Sequence, residues 1–471
     1  MQLRKQSRLR IAPALGLLTA NLFIATGALA QSAAPAMVAQ ITDDARSSGV
    51  SDDTETDVGM TRVDSAVLFY HEANGRVQTT EPVVGVTFNS EDGTALSIKL
   101  TSDTLTGATP NGAAPWKGLQ TFITPAKAPG TSMSVTGASG GSTIVKIPGT
   151  GTVARQYTAA AGTLPMDYGF KDQRYAVDVG YSSAWDDQTH LSFGGSLSTE
   201  RDYSSYSFNV AATRDFFRKN TTVSLALNEE FDQSKPYMGT PTGMTVMSAD
   251  PKGQARTKTV TNIVAGVTQV MNRYWLAQLN YSAGSSDGYQ SDPYRIISVV
   301  DPVSGAPVEY RYENRPTSRT RQSVYFGNKI ALGPTYADLS FRAYHDSWGI
   351  SSVTVEASDR IPLLSWLYVE PQARYYDQSA ANFFHNYLVS GQALPTNASS
   401  DSRLGKFSAT TLGLKVGFKV GHSAEFYLVG ENYKQSGKNI DRSAIGDLAT
   451  ESLFSGVNAT SVMAGFTFAF R

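Results

Sequence analysis

Charged side chains recur at Lys99, Asp103, Arg174, Asp178, Asp338, Arg342, Glu370, Arg374, Lys415, Lys419, Glu425 and Glu431, in segments whose alternate positions are apolar. In Thr410–Val420, for example, Leu412, Leu414, Val416, Phe418 and Val420 oppose Lys415 and Lys419. A lysine facing lipid at the bilayer midplane costs about 2–4 kcal/mol, whereas one facing a wet lumen costs little. Such a set offers two chemistries: a charged lining that selects solutes, or a hydrated wall knitted by salt bridges. The signs are nearly balanced, which favours the second and argues against strong anion or cation selectivity.

Other chemistry is poorly supplied. His71, His190, His345, His385 and His422 are scattered, without His-x-x-His or His-Glu-x-x-His spacing, so no metal site is expected. With no cysteine in 471 residues there can be no disulfide, thiolate ligand or cysteine nucleophile. The Gly-x-Ser-x-Gly elbow is absent, and Gly137-Ala-Ser-Gly-Gly-Ser-Thr143 has no Lys-Ser/Thr partner for a phosphate. A membrane-embedded lipase or acyltransferase would need a histidine, a serine and a polar helper at one rim, and no spacing suggests them. The expectation is a protein with no cofactor, no metal and no catalytic residues.

The ends of the sequence say where such charges would be held. Met1–Ala30 begins with Arg4, Lys5, Arg8 and Arg10, continues in an apolar run, and closes on Ala28-Leu-Ala30 before Gln31. It reads as a secretory signal peptide cleaved between Ala30 and Gln31. Its removal takes four of the 40 basic residues and none of the 41 acidic ones, leaving a net charge near −5, which gives no reason to expect nucleic-acid binding. Residues 31–60 are rich in Ala, Ser, Asp and Thr without periodicity, and read as a flexible acidic periplasmic arm that could hold a partner. At the other end Val462, Ala464, Phe466, Phe468 and Phe470 alternate with Met463, Gly465, Thr467 and Ala469. A period of two with one aromatic face is a strand. Gly465, Phe468 and Phe470 have the glycine-then-aromatic spacing of the signal read by the barrel-assembly machinery, with Arg471 following.

Between these ends, 61–471 holds sixteen alternating segments, at about 61–72, 77–89, 94–105, 173–184, 189–199, 204–214, 221–232, 257–269, 275–285, 318–332, 336–346, 351–358, 367–377, 406–420, 424–434 and 457–470. Every second connection is short: Ser90–Gly93, Trp185–Gln188, Asp215–Asn220, Val270–Tyr274, Gly333–Thr335, Asp359–Trp366 and Gly421–Ser423. The other set contains all the long ones, near 106–172, 233–256, 286–317, 378–405 and 435–456. Short periplasmic turns and long extracellular loops are the asymmetry of outer-membrane barrels. Tyr (23), Phe (21) and Gly (41) are abundant while charge is only 17%, which suits aromatic girdles around a wet lumen. Trp185, Trp275, Trp348 and Trp366 fall at segment ends, where a girdle would sit. The fold expected is all-β: a transmembrane antiparallel barrel of about 16 strands, with 14 to 18 compatible, set in outer-membrane lipid.

Asp103-Thr-Leu-Thr-Gly-Ala-Thr-Pro-Asn-Gly-Ala113 opens the first long loop, and Gly107, Pro110, Asn111 and Gly112 give it defined turn chemistry. Together with Arg76-Val-Gln-Thr-Thr-Glu-Pro-Val-Val84, it resembles a family of outer-membrane barrels known by a domain-of-unknown-function label, from about Thr61 onward. The resemblance implies an exported barrel without established substrate or catalytic residues. It also implies inserted extracellular loops, such as Pro115–Met166, and a neighbourhood of periplasmic redox genes. The function expected is a channel or export conduit for a small solute or short peptide. The alternative is a plugged barrel acting as an interaction protein in a periplasmic, redox-linked pathway. The oligomeric state is left open.

Overall fold

A computed structural model describes residues 59–125, 142–146, 153–248 and 251–471. The signal-peptide expectation and nearly all of the acidic arm lie outside them. In chain order the strands are β1 (Thr61–Glu72), β2 (Gln78–Asn89), β3 (Ala95–Pro110), β4 (Gln120–Pro125), β5 (Ser142–Lys146), β6 (Val153–Ala159), β7 (Met166–Ala184), β8 (Thr189–Thr199), β9 (Tyr203–Phe216), β10 (Thr221–Ser234) and β11 (Arg256–Asn272). They continue with β12 (Trp275–Gly288), β13 (Ile296–Val300), β14 (Pro307–Tyr312), β15 (Ser318–Leu332), β16 (Thr335–Asp346), β17 (Ser351–Leu364), β18 (Leu367–Gln378), β19 (Leu388–Val389), β20 (Phe407–Val420), β21 (Ala424–Gly437) and β22 (Asn458–Phe470).

Sixteen of these form one closed antiparallel barrel, as expected. The remaining six make two small sheets, ordered β14-β13-β19 and β4-β6-β5, inside the long connections. The ring closes where β22 pairs with β1, from Thr61 opposite Phe470 to Glu72 opposite Ala459. Strands alternate faces, and here the exterior is the apolar one. Leu100, Val177, Leu225, Leu279, Leu412 and Phe466 are exposed outward, while their neighbours Lys99, Asp178, Asn280 and Lys415 point inward. This inversion of a soluble core is what lipid demands.

All seven connections at one rim are tight, and all the long ones lie at the other. Three expected boundaries shift. Strand β3 runs on to Pro110, and β7 begins at Met166 instead of near 173. Gly107, at φ 126°, makes a bulge that carries the strand past residues first read as a turn. Likewise β17 continues to Leu364, so the turn expected at Asp359–Trp366 shrinks to residues 365–366. The Asp359-Arg360 pair masked its periodicity, because Arg360 points into the lumen toward Glu370 at 2.8 Å. Pro362 is accommodated at a register shift.

Trp185, Trp275 and Trp366 stand exposed at the short-turn rim. Trp348 does not join them: it is only 4% exposed, inside the long loops. Its Nε1 donates to the Ser318 carbonyl at 2.9 Å, its ring meets Phe383 edge-on at 5.1 Å, and the Arg319 guanidinium lies over it at 4.3 Å. A buried indole needs such a partner for its N–H. The sequence could not distinguish the two settings.

The inversion can be tested by a matched pair of charges. Leu225→Lys, on the outer face, should lower unfolding stability in vesicles by about 2–4 kcal/mol, whereas Ser207→Lys, on the inner face of the neighbouring strand, should cost under about 1 kcal/mol. Equal losses in urea titrations would contradict the assignment of faces.

Candidate functional site

The inner wall is built from cross-strand pairs. Lys99 contacts Asp178 at 2.9 Å; Arg174 meets Asp103 at 2.6 Å and Glu81 at 3.6 Å. Arg360–Glu370 (2.8 Å), Arg374–Glu356 (3.1 Å) and Lys329–Asp338 (3.7 Å) continue the series around the barrel. Lys415 lies against the rings of Tyr427 and Tyr368, at 4.6 and 5.8 Å, and Arg342 over Tyr325 at 5.5 Å. Glu425 accepts from the Tyr368 hydroxyl at 2.6 Å and Glu431 from Gln372 at 2.5 Å. Lys419 is exposed near the short-turn rim, opposite Glu425 in register. The structure thus places the predicted charges on one inner surface but in local pairs, not in a ring of one sign.

Exposure along this surface is uneven: Tyr368 and Glu370, close to the β17–β18 turn, are 3% and 8% exposed. On β16 alone, lumenal Asp338 keeps 48% of its side-chain surface, whereas Asp346, nearer the long loops, keeps none. At the long-loop end the connections themselves pack together.

The long connections assemble into a cap. Phe122 and Tyr157, of the β3–β7 connection, pack with Ile296 and Tyr312 of the β12–β15 connection and with Met247 of the β10–β11 connection. Ile297 and Val299 meet Leu388 and Ala398 of the β18–β20 connection, and Val300 meets Leu448 of the β21–β22 connection. Five loops therefore share apolar cores. The Phe122 ring lies 5.2 Å from that of Tyr157 and 4.9 Å from that of Tyr310.

At the centre of the cap is an ion cluster. Asp401 is approached by Arg315 at 2.9 Å, Arg403 at 2.5 Å and Arg295 at 3.5 Å. Glu313 lies 2.7 Å from Arg315 Nε and accepts from the Asp292 backbone N–H and the Ser399 hydroxyl, both at 2.5 Å. With Asp292 the set holds three arginines and three carboxylates, so it is neutral. Burial alone would raise the Asp401 carboxyl, but Arg295, Arg403 and Arg315 outweigh it and hold it well below the ordinary range. Burial raises Glu313 despite Arg315. Losing one member of such a buried set costs about 3–5 kcal/mol.

The Gly107–Gly112 segment fastens the cap to the barrel. The Asn111 side chain donates to Tyr157 at 3.0 Å and accepts from the Ala113 N–H at 2.8 Å; its carbonyl accepts from Ile296 at 2.9 Å. The Pro110 carbonyl accepts from Arg295 at 3.3 Å, and that of Gly112 from the Ser400 hydroxyl at 2.6 Å. Gly112 adopts φ 97°, and a Cβ there would fall 2.2 Å from the Ile296 carbonyl oxygen. Asp103, through Arg174, fixes the base of the same hairpin. Sequence inspection singled out this segment but missed Arg295, Glu313, Arg315, Asp401 and Arg403. Their signal was the charge density of Arg311-Tyr-Glu-Asn-Arg315 and Asp401-Ser-Arg403; their convergence is long-range and leaves no spacing to read.

A family model described as "Protein of unknown function (DUF3570)" matches residues 26–468. The chain belongs to this family. Among curated proteins none matches. Similar solved structures include a mutant ferric enterobactin receptor, PfeA, of Pseudomonas aeruginosa (12% identity, 87% of this chain, 60% of that one, TM-score 0.40). Others are the siderophore receptor PirA of Acinetobacter baumannii (7% identity, 81% of this chain, 53% of that one, TM-score 0.38) and a bacterial polysaccharide outer membrane secretin (9%, 88% and 99%, TM-score 0.41). The DUF3570 chain spans 60% or less of these two receptors.

Two outcomes follow from the cap. Gly112→Ala should destabilise it by about 1–3 kcal/mol, seen as faster amide exchange across Ile296–Val300; unchanged exchange would show that the contact is slack. The depressed Asp401 carboxyl contributes stability that is complete above its unfolded value of about 3.9 and is lost as pH falls through the lower folded value. The raised Glu313 carboxyl loses nothing on acidification. Protection of residues 399–403 should therefore hold or rise from about pH 7 to pH 5 and fall only in stronger acid; a loss centred near neutral pH would contradict this.

Proposed function

We propose that this chain is an outer-membrane conduit for a small solute or short peptide, with its short-turn rim in the periplasm and its cap as the gate. The observation that carries this reading is the cap: the ion-paired inner wall meets, at its long-loop end, a loop body held by a neutral, largely buried ion cluster. A wall of balanced pairs is suited to polar solutes of either sign, and gives no charge filter. The aromatic-faced β22, exposed along Phe466, Phe468 and Phe470, suits insertion by the barrel-assembly machinery. Nothing in the wall calls for an enzymatic role.

A second reading has its own support. The cap has apolar cores, with Phe122, Ile297, Val300 and Leu448 almost wholly buried, so it could be a permanent plug. The chain would then be an interaction protein, engaging a periplasmic partner through residues 31–60.

Planar-bilayer recording separates the two. The wild type should be mostly silent, and Asp401→Asn should show frequent stepwise openings, because three arginines, two of them buried, lose their shared counter-charge. A large steady wild-type conductance would sink the gate. Silence in Asp401→Asn, alongside accelerated exchange in its cap, would favour the plug.

A further inference from the structure

Beside the ion cluster lies a second feature that the conduit reading does not use. A solvent-open cleft of about 450 Å³ sits between the β16–β17 turn and the β12–β15 and β18–β20 connections. That volume is in the range of small-molecule sites, about 300–1,000 Å³. Its lining includes the apolar Phe383, Trp348, Pro316 and Pro395, with Asn382, Asn397 and His385 supplying polar groups; the Asn397 Oδ1 already accepts from the Asn314 amide at 3.1 Å.

The chemistry of the lining narrows the occupant. No carboxylate and no Lys or Arg lines the cleft, so neither a cation nor an anion is matched. Burial lowers the His385 pKa from its ordinary value, which leaves the imidazole neutral at neutral pH, able to donate once and accept once. A peptide strand would need free backbone groups. At three lining positions the backbone N–H is already used: that of Asn382 donates to the Trp348 carbonyl at 2.8 Å, that of His385 to the Ser399 carbonyl at 2.9 Å, and that of Trp348 to the Asp346 carboxylate at 3.0 Å. Recognition falls to two carboxamides, an imidazole and hydroxyls alongside the apolar lining. That combination suits a ring with one C–H face and an edge of hydroxyl groups.

We propose that this cleft binds a neutral saccharide residue. Resting on the gated reading, the proposal also gives the gate an input. Pro316 directly follows Arg315, and residues 395–397 lead through the Asn314–Ala398 bridge to Ser399 and Asp401. A saccharide wedged between these segments pushes on the two strands of chain that carry the ion cluster. Its source is either a passing sugar or the glycan of the surrounding cell surface.

The test is calorimetric titration of the refolded full chain in detergent with maltose, N-acetylglucosamine, a neutral, phosphate-free hexose oligosaccharide of the lipopolysaccharide outer core and, as the peptide probe, tetraproline. Saturable binding of at least one saccharide, weakened roughly three- to tenfold by Asn382→Ala or Asn397→Ala, supports the proposal. Binding of maltose or N-acetylglucosamine assigns the site to a solute, and of the core oligosaccharide alone to the cell surface. No saturation by any saccharide, affinity indifferent to both variants, or binding of tetraproline alone overturns it. Asn382 is exposed, so its variant should fold, which heat-modified gel migration verifies. The titration does not read conductance, so its failure leaves the gating experiment to stand or fall separately.

Discussion

The pairing of β22 with β1 is the interaction on which the rest depends. In hydrocarbon a backbone N–H or C=O without a partner costs several kcal/mol, so an open sheet edge cannot persist there. Closing the ring satisfies every strand at once, and the closure is long: it runs from Thr61 opposite Phe470 to Glu72 opposite Ala459. Once the ring is closed, the alternation of each strand has only one workable orientation. Leucines, valines and aromatic residues go outward, and the charges that could not be solvated by lipid go in.

Inside, charge is handled in two regimes. Near the short-turn rim, pairs such as Lys329–Asp338 are half exposed, and water does much of the stabilising. Near the long loops, Asp401, Glu313 and Arg315 are almost wholly buried, and only mutual compensation makes their ionised forms tolerable. The first regime makes a forgiving wall. The second makes a joint that is strong while complete and weak once any member is missing. A gate needs that property, since a small change in one residue alters the whole assembly.

The barrel was legible because its rules are local. Alternation in Tyr175–Tyr181 or Leu412–Val420, with the sorting of short and long connections, sufficed for sixteen strands. Errors came where local composition misled: glycine at 107 marked a bulge inside a strand, and Asp359-Arg360 concealed a strand whose charges face water within the lumen. Trp348 looked like its three counterparts at segment ends, yet its indole is enclosed by Phe383 and Arg319. The cap was almost illegible. Asn111 and Gly112 announced a defined turn, but Asp401 and Arg295 meet across more than a hundred residues, and nothing in periodicity encodes such a meeting.

The composite origin of the cap bears on how the molecule is made. Its pieces are supplied by five separate hairpins, from Ala113 near the start of the barrel to Leu448 near its end, so no contiguous stretch can form it in advance. The arginines at 295 and 315 meet the carboxylate of Asp401 only when the strands that carry their connections stand in one ring. The cap can therefore be complete only once all five hairpins stand in the ring.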